Sequence, residues 1–353
     1  MELLKALIIV SEKAANIARV CRQHEHLFEL LVQKKRSNEA NPRFVEDFKT
    51  LADVLIQEMI KHDIKQQFQA LSNISGEENN VLENKLGIKI CVVVKESEKE
   101  TADLLSTVLN GDQVAAALLA AEVHRHIDIN DIKTKIPTEG FEIRLEELGI
   151  WIDPIDCTAE YISGGKGYCD QNIYLKGLKC VTVLIGVFNM VSGLPVMGVV
   201  NRPFLEDDDF MSHLRCIWGV SLDNLTFNSG LSYAERKKVI CISSSEEQEV
   251  KQILKEKGFH TVEASGAGYK ILTVILGLAD AYLLTKGTTF KWDTCAPHSI
   301  LKSLGGDIVD YRISMKNAVE SITYIDQNSC NVNGIIAYRD IDSFTDIMNA
   351  LNK

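Results

Sequence analysis

The sequence predicts a mixed α/β (α+β) fold built as a layered sandwich, and three observations carry that expectation. Residues 3–32, and then Phe48 to about His62, space their apolar side chains at three and four positions, the period of amphipathic helices. Val181–Phe188 and Val196–Val200 are apolar, β-branched runs flanking Ser192, Gly193, Leu194 and Pro195, the pattern of a hairpin. From Lys238 onward short strands and helices alternate, which calls for sheets covered by helices.

In chain order, Leu3, Leu7, Val10, Ala14, Ile17 and Cys21 form the buried stripe of the first helix. Residues 33–43 are polar and contain Pro42, so they read as a loop. The second helix carries Leu51, Val54, Leu55 and Met59. Leu71–Glu78 reads as a short strand running into an acidic turn. Residues 79–147 form an elaboration with a strand at Ile88–Val94, helices near 97–109 and 112–124, and low order expected around 127–140, where Pro137 and Gly140 fall. Gly149–Ile152 is a short apolar strand. After the hairpin come a strand at 238–243, helices at 246–257 and 268–277, and a strand at 280–285. A helix at 294–304, strands at 306–309 and 334–338, and a helix at 341–351 follow. No internal repeat or low-complexity tract is found.

With 353 residues, 46% of them apolar, the chain can bury a core without a disulfide framework. Aspartate and glutamate outnumber lysine and arginine by 49 to 38, a net charge of -11 that argues against a nucleic-acid surface. A phosphorylated substrate is still open to it, since bound cations supply positive charge locally. Nine scattered cysteines, an odd number with no Cys-x-x-Cys pair, point to reduced thiols. The acidic start and the absence of a long apolar run complete the expectation of a soluble, cytoplasmic protein.

The densest chemical signal is Trp151-Ile152-Asp153-Pro154-Ile155-Asp156-Cys157-Thr158. Pro154 holds Asp153 extended at the end of an apolar strand, and the following turn returns Asp156 beside it while exposing the Ile155 carbonyl. A helix opening after Thr158 would offer its first N–H groups to a phosphate oxygen. Carboxylates and a carbonyl on one tight turn suit magnesium better than zinc. For the bare motif, an ordinary strand-to-helix turn capped by Asp156 or Thr158 is the simpler account.

Three further acidic motifs are each ambiguous. Gly76 allows a sharp turn before Glu77 and Glu78, whose repulsion a cation would relieve, though solvated loop acids are the simpler account. Asp293 opens a helix and serves as an N-cap or a metal ligand, with Pro297 expected within the first turn. Thr50 and Asp53 share a helix face, where exposed salt-bridging is the default for an acid. Two His-x-His pairs, His24 with His26 and His124 with His126, lack partners at useful spacing and read as solvated. No Gly-x-Ser-x-Gly elbow, Walker loop or Rossmann fingerprint is present.

Taken together and in this order, the four acidic motifs resemble the lithium-sensitive, magnesium-dependent phosphatase superfamily that includes the inositol monophosphatases. The stretches Ser11–Arg19, Asp47–Leu55, Val181–Gly186 and Gly266–Lys270 share the resemblance, which runs nearly end to end and is weakest across 79–147 and 203–237. It implies a layered αβαβα sandwich of the inositol monophosphatase and fructose-1,6-bisphosphatase type. An N-terminal half over 1–235 would carry most metal ligands, and a C-terminal half over 236–353 would carry substrate contacts and the last ligand.

The resemblance also implies a two-metal hydrolysis. Glu77, Asp153 and the Ile155 carbonyl would hold one Mg2+, while Asp153, Asp156 and Asp293 would hold a second. The Thr158 hydroxyl, helped by Asp53, would orient or deprotonate the attacking water. Asp156, Cys157 and Thr158 would meet the scissile phosphate, and Ser245, Gly266, Lys270 and Thr288 the substrate ring and its remaining phosphate. Cys157 departs from the serine or glycine usual there; with no Cys-x5-Arg pattern following it, its thiol is read as a bystander. The implied substrates are small inositol phosphates, losing the 1-phosphate of inositol 1,4-bisphosphate and inositol 1,3,4-trisphosphate, with Li+ as inhibitor. The rivals are a 3'(2'),5'-bisphosphate nucleotidase of the same superfamily and a non-catalytic inositol-phosphate-binding scaffold.

Overall fold

A computed structural model describes residues 1–24, 32–35, 48–84, 86–136, 140–222, 225–232, 235–316, 318–325 and 328–352. Helix α1 spans Glu2–Gln23, and every residue of the expected stripe from Leu3 to Cys21 is buried. It ends earlier than the expected 3–32 helix, at a C-cap on His24. Val32–Lys34 is instead strand β1, paired antiparallel with β2 at Phe48–Thr50. Pro42 and Asp47 lie outside the described residues.

The second helix, α2, therefore begins late, at Leu51, and runs to Gln67. Its start is fixed by a reciprocal cap. The Thr50 hydroxyl accepts from the Asp53 N–H at 3.2 Å while the Asp53 carboxylate accepts from the Thr50 N–H at 2.7 Å. Strand β3, Asn73–Gly76, leads to the acidic turn. In the elaboration, β4 (Val81–Glu83) and β5 (Lys89–Cys91) form a hairpin. Helices α3 (Glu98–Val108) and α4 (Gln113–His124) begin at caps on Ser97 and Asp112. Residues 134–135 are anchored rather than loosely ordered: the Thr134 hydroxyl donates to the Cys216 carbonyl at 3.1 Å and the Trp218 indole to the Lys135 carbonyl at 2.9 Å.

The expected short strand at Gly149–Ile152 is longer. Strand β6 covers Leu148–Asp156, and its register slips between Asp153 and Asp156, so Pro154 and Ile155 sit in a bulge. The short helix α5 follows at Thr158–Ser163. Beyond the small ribbon of β7 (Cys169–Asp170) and β8 (Ile173–Tyr174), strands β9 (Thr182–Asn189) and β10 (Pro195–Asn201) form the expected hairpin. Two strands not foreseen from the sequence, β11 (Cys216–Leu222) and β12 (Leu225–Asn228), extend it. The first sheet has six strands in the order β12-β11-β10-β9-β6-β3, with only the β3–β6 pair parallel.

The second sheet is built from β13 (Val239–Ile242), β14 (His260–Glu263), β15 (Ala281–Leu284), β16 (Asp307–Asp310) and β17 (Ile335–Tyr338), in the order β14-β13-β15-β17-β16. Its helices are α6 (Gln248–Glu256), α7 (Ala267–Ile275), α8 (Lys291–Ser303), α9 (Tyr311–Ser314) and α10 (Ile341–Leu351).

The layering follows from which way each strand's side chains point. Along β9, Val183, Ile185 and Val187 face α1 and α2, while Leu184 and Phe188 face α7 and α8. Along β13, Cys241 faces α7 and α8 whereas Ile240 and Ile242 pack with residues of α6 and α10. The result is an αβαβα stack. Helix α8 lies unusually close to the first sheet because Gly186, Gly198 and Gly219 are register partners across β9, β10 and β11. A Cβ at Gly198 would stand 2.1 Å from the Ala296 carbonyl oxygen, and one at Gly186 2.4 Å from the Ala296 nitrogen.

Candidate metal centre and active site

The β6 bulge and the first turn of α8 bring three carboxylates together. Oxygens of Asp153, Asp156 and Asp293 lie within 4.8 Å of one another, and all three residues are buried. Asp293 is not the N-cap of α8 but its third residue, and its carboxylate accepts from the Phe290 N–H at 2.7 Å. Pro297 lies past the first turn, inside the helix; having no N–H, it leaves the Asp293 carbonyl without its intrahelical donor.

Glu77 arrives from β3. Its N–H donates to the Ile152 carbonyl at 3.1 Å, which sets it beside the Asp153 turn. Gln57 of α2 clamps the same turn, accepting from the Glu78 N–H at 2.9 Å and donating to the Glu78 carbonyl at 2.5 Å. Gly76 is required there, since a Cβ would meet the Gln57 side chain at 2.1 Å. All four sequence-distant acidic motifs thus converge on one region.

Gathering like charges in a buried place has a cost that shows in the acids themselves. Burial, with the charges of Glu77, Asp156 and Asp293, pushes the Asp153 carboxyl well above the usual carboxylate range. Burial does the same to Asp293, together with Asp156 and Glu77. Burial raises Asp53 to about 7, against hydrogen bonds from the Thr50 hydroxyl and N–H and with Glu77 adding to the rise. Asp153 Oδ1 and Asp53 Oδ1 are buried with no hydrogen-bond partner. Orphaned, all-oxygen donors in a like-charged cluster are the chemistry that a hard divalent cation satisfies, so these residues fit magnesium.

Asp156 is held differently. Its carboxylate accepts from the N–H groups of Ala267 and Tyr269 at 3.2 and 3.1 Å, at the start of α7, and from the Thr182 hydroxyl at 3.2 Å. Burial raises its acid range, opposed by the Lys270 charge and these bonds. The Ile155 carbonyl accepts from the Thr158 hydroxyl at 3.0 Å, which leaves a second lone pair on that oxygen. The direct hydrogen bonds of Asp53 go to Thr50, whose hydroxyl is 2.6 Å away. Cys157 adopts a left-handed backbone, φ 75°, and burial, reinforced by Asp156, pushes its thiol well above its ordinary range. A protonated thiol is no nucleophile.

The remaining sequence candidates line the C-terminal half. Gly266, φ 78°, opens α7 so close to the Asp153–Asp156 turn that a Cβ would lie 2.9 Å from Asp156 Oδ2. Lys270 is fully buried, not solvated; its ammonium donates to the carbonyls of Ala264 and Gly266 at 3.1 and 2.7 Å. Thr288 Oγ1 is buried without a partner. The Ser245 hydroxyl pairs with that of Ser243 at 2.9 Å, and its carbonyl accepts from Lys286 at 2.7 Å. These serines do not cap α6, which starts after Glu247. Glu246, buried, instead ties the serine turn to Thr285, accepting from its hydroxyl at 2.6 Å and its N–H at 3.0 Å.

Two features escaped the sequence reading. Lys35 places its ammonium 2.6 Å from both Glu77 and Glu78. Burial disfavours that charge, but the two carboxylates more than compensate and hold Lys35 firmly protonated. The basic run of Lys34, Lys35 and Arg36 was the only local signal for it. His124 is also not solvated: it is half-buried and bonds the Thr101 hydroxyl at 2.8 Å. His26 lies outside the described residues.

Residues 3–341 match the inositol monophosphatase family. The chain is 41% identical to inositol polyphosphate 1-phosphatase of Mus musculus, over 96% of this chain and 94% of that protein. It is 32% identical to 3'(2'),5'-bisphosphate nucleotidase 1 of the same organism, over 51% of this chain and 55% of that one. Among solved structures, the extragenic suppressor protein suhB of Bartonella henselae shares the fold with a TM-score of 0.56 at 13% identity, over 100% of this chain and 99% of that chain. No helix of the described residues is long and apolar enough to cross a membrane.

Proposed function

Because the chain belongs to the inositol monophosphatase family, we propose that it is a magnesium-dependent phosphomonoesterase removing the 1-phosphate from inositol 1,4-bisphosphate and inositol 1,3,4-trisphosphate. One observation carries the reading: buried carboxylates of Asp153, Asp156 and Asp293 meet within 4.8 Å, and Asp153 Oδ1 has no hydrogen-bond partner. Near full-length similarity to an inositol polyphosphate 1-phosphatase supports the substrate class, whereas the nucleotidase similarity spans about half the chain.

In this reading Glu77, Asp153 and the Ile155 carbonyl would hold one Mg2+, and Asp153, Asp156 and Asp293 a second. Bound Mg2+ supplies Lewis acidity, lowering the pKa of water and offsetting charge on the phosphate oxygens. Asp53, poised near neutrality by burial, accepts a proton, with Thr158 between it and the water. The turn from Asp156 through Cys157 to Thr158 receives the scissile phosphate. Ser245, Gly266, Lys270 and Thr288 orient the inositol ring and its remaining phosphate; the partnerless Thr288 hydroxyl supports that role. Li+ would inhibit if it took a magnesium position. The nine free cysteines accord with a reducing, cytoplasmic setting.

Phosphate release from a panel of inositol phosphates and bisphosphate nucleotides, with and without lithium, tests this. Lithium-sensitive release from inositol 1,4-bisphosphate is expected. Rapid hydrolysis of adenosine 3',5'-bisphosphate with the inositol substrate untouched would reject it in favour of the nucleotidase. No turnover on any substrate would favour a binding scaffold.

A further inference from the structure

Between the two sheets, where apolar packing prevails, runs a buried polar chain that the proposed reaction does not use. Asp307 of β16 accepts from His298 Nε2 at 2.6 Å and from the Ser321 hydroxyl at 2.6 Å, with Lys302 at 3.4 Å. His298 Nδ1 lies 2.9 Å from the Tyr324 hydroxyl. His298 and Tyr324 are 0% and 1% exposed.

The proton order in this chain is fixed by elimination. Burial pushes Asp307 up, but the bonds from His298 and Ser321 and the Lys302 charge outweigh it, so the carboxyl stays ionised and only accepts. Burial holds His298 neutral despite Asp307. Nε2 must therefore carry the ring proton, Nδ1 must accept, and the Tyr324 hydroxyl must donate. Each group has one permitted direction, so the chain specifies a single arrangement of α8, which carries His298, against β16.

Tyr324 is where that arrangement meets the carboxylates. Its backbone carbonyl accepts from the Trp151 indole at 3.3 Å, and Trp151 stands two residues before Asp153 on β6. Its hydroxyl meets His298, which lies five residues after Asp293 on α8. Its N–H donates to the Gly193 carbonyl at 2.9 Å, tying it to the β9–β10 turn. One residue thus joins β6 near Asp153 to α8, the helix that carries Asp293. Trp151 and Trp292, the flanking aromatics, also meet with their rings tilted by 49° and ring centroids 6.0 Å apart.

We propose that Tyr324, oriented by His298 and Asp307, is a positioning residue that sets the separation of Asp153 and Asp293 and thereby the affinity of the divalent-cation site. The inference rests on the metal reading of that site given above. A buried polar chain contributes little net stability compared with apolar packing of the same volume, whereas it does fix geometry. Residues that orient metal ligands without touching the ion commonly change affinity by ten- to a hundredfold.

The test uses Tyr324→Phe, which deletes only the hydroxyl and keeps the ring contacts with Phe188 and His298. Manganese binding is read directly by electron paramagnetic resonance titration, without substrate, alongside the melting temperature. The expected result is a loss of about tenfold in Mn2+ affinity in a protein that stays folded, with kcat at saturating Mg2+ reduced less than the apparent Mg2+ affinity. Ser321→Ala, at the outer end of the chain, should shift affinity the same way by a smaller factor and serves if the first variant does not fold. A purely structural role would lower the melting temperature while leaving Mn2+ affinity of the folded fraction intact, and that result overturns the proposal. If the unmodified protein itself bound no Mn2+, the metal reading would fall first and this inference with it.

Discussion

Lys35 and Glu77 form an ion pair of 2.6 Å at the edge of the acidic cluster. The Lys35 side chain is 4% exposed, so its charge meets Glu77 at close quarters rather than through solvent. A divalent ion approaching Glu77 competes with that ammonium. Lys35→Met keeps the stem and removes the competitor, and should tighten Mn2+ binding about three- to tenfold, on the order of 1 kcal/mol. Titration of the metal-free protein checks the direction; weaker binding would show that Lys35 assists the ion.

Asp153 combines an unpartnered oxygen with four acidic neighbours whose charges raise its proton affinity. Asp153→Asn should lower magnesium-dependent turnover by about a thousandfold or more. The same change removes repulsion, so the metal-free variant should melt at or above the temperature of the unmodified protein. Turnover that survives the substitution would remove Asp153 from the metal site.

Stability without metal should depend on pH in a definite sense. Folded Asp53 titrates at about 7, and Asp153 and Asp293 lie well above the 3.8 of an unperturbed aspartate. Between about pH 4 and 7 the folded state therefore binds more protons than the unfolded chain, so stability falls as pH rises through that window. Thermal melts with a chelator should show higher midpoints near pH 5 than near pH 7.5. Added Mg2+ should raise the midpoint more at pH 7.5, where the cluster is closer to ionised.

Cys157 pays a backbone penalty at φ 75° with a side chain that does no acid–base work. Cys157→Gly should relieve that strain and stabilise the protein by about 0.5–1 kcal/mol with activity retained. Loss of activity would give the thiol a role in the phosphate turn.

Gly198→Ala would drive a methyl group against the Ala296 carbonyl of α8, 2.1 Å from where the new Cβ must stand. Displacing α8 also displaces Asp293. The variant should lose about 1–3 kcal/mol of stability and bind Mn2+ more weakly, both measurable on the purified protein.

The candidate ligands were legible because each sits in a short motif whose chemistry is local. Asp153, Pro154 and Asp156 fall within four residues, and the turn they imply follows from proline's own constraints. What misled was context at the edges of elements. Thr50 and Asp53 looked like neighbours on a helix face, yet they form the cap that starts α2 three residues later than periodicity suggested. Likewise Phe290, not Asp293, precedes α8. Contacts between distant segments were not legible: Lys35 reaching Glu77, Tyr324 joining Trp151 to His298, and three glycines aligned across separate strands depend on tertiary placement that no window of sequence contains.

The amides of Ala267 and Tyr269 that satisfy Asp156 belong to a helix made long after β6 leaves the ribosome. Until that helix docks, Asp156 lacks those donors. Divalent binding at the cluster, on the reading proposed above, would accordingly be a property of the completed assembly and would serve as a reporter for it. During refolding, ion uptake should lag the formation of secondary structure and coincide with closure of the last interlayer contact.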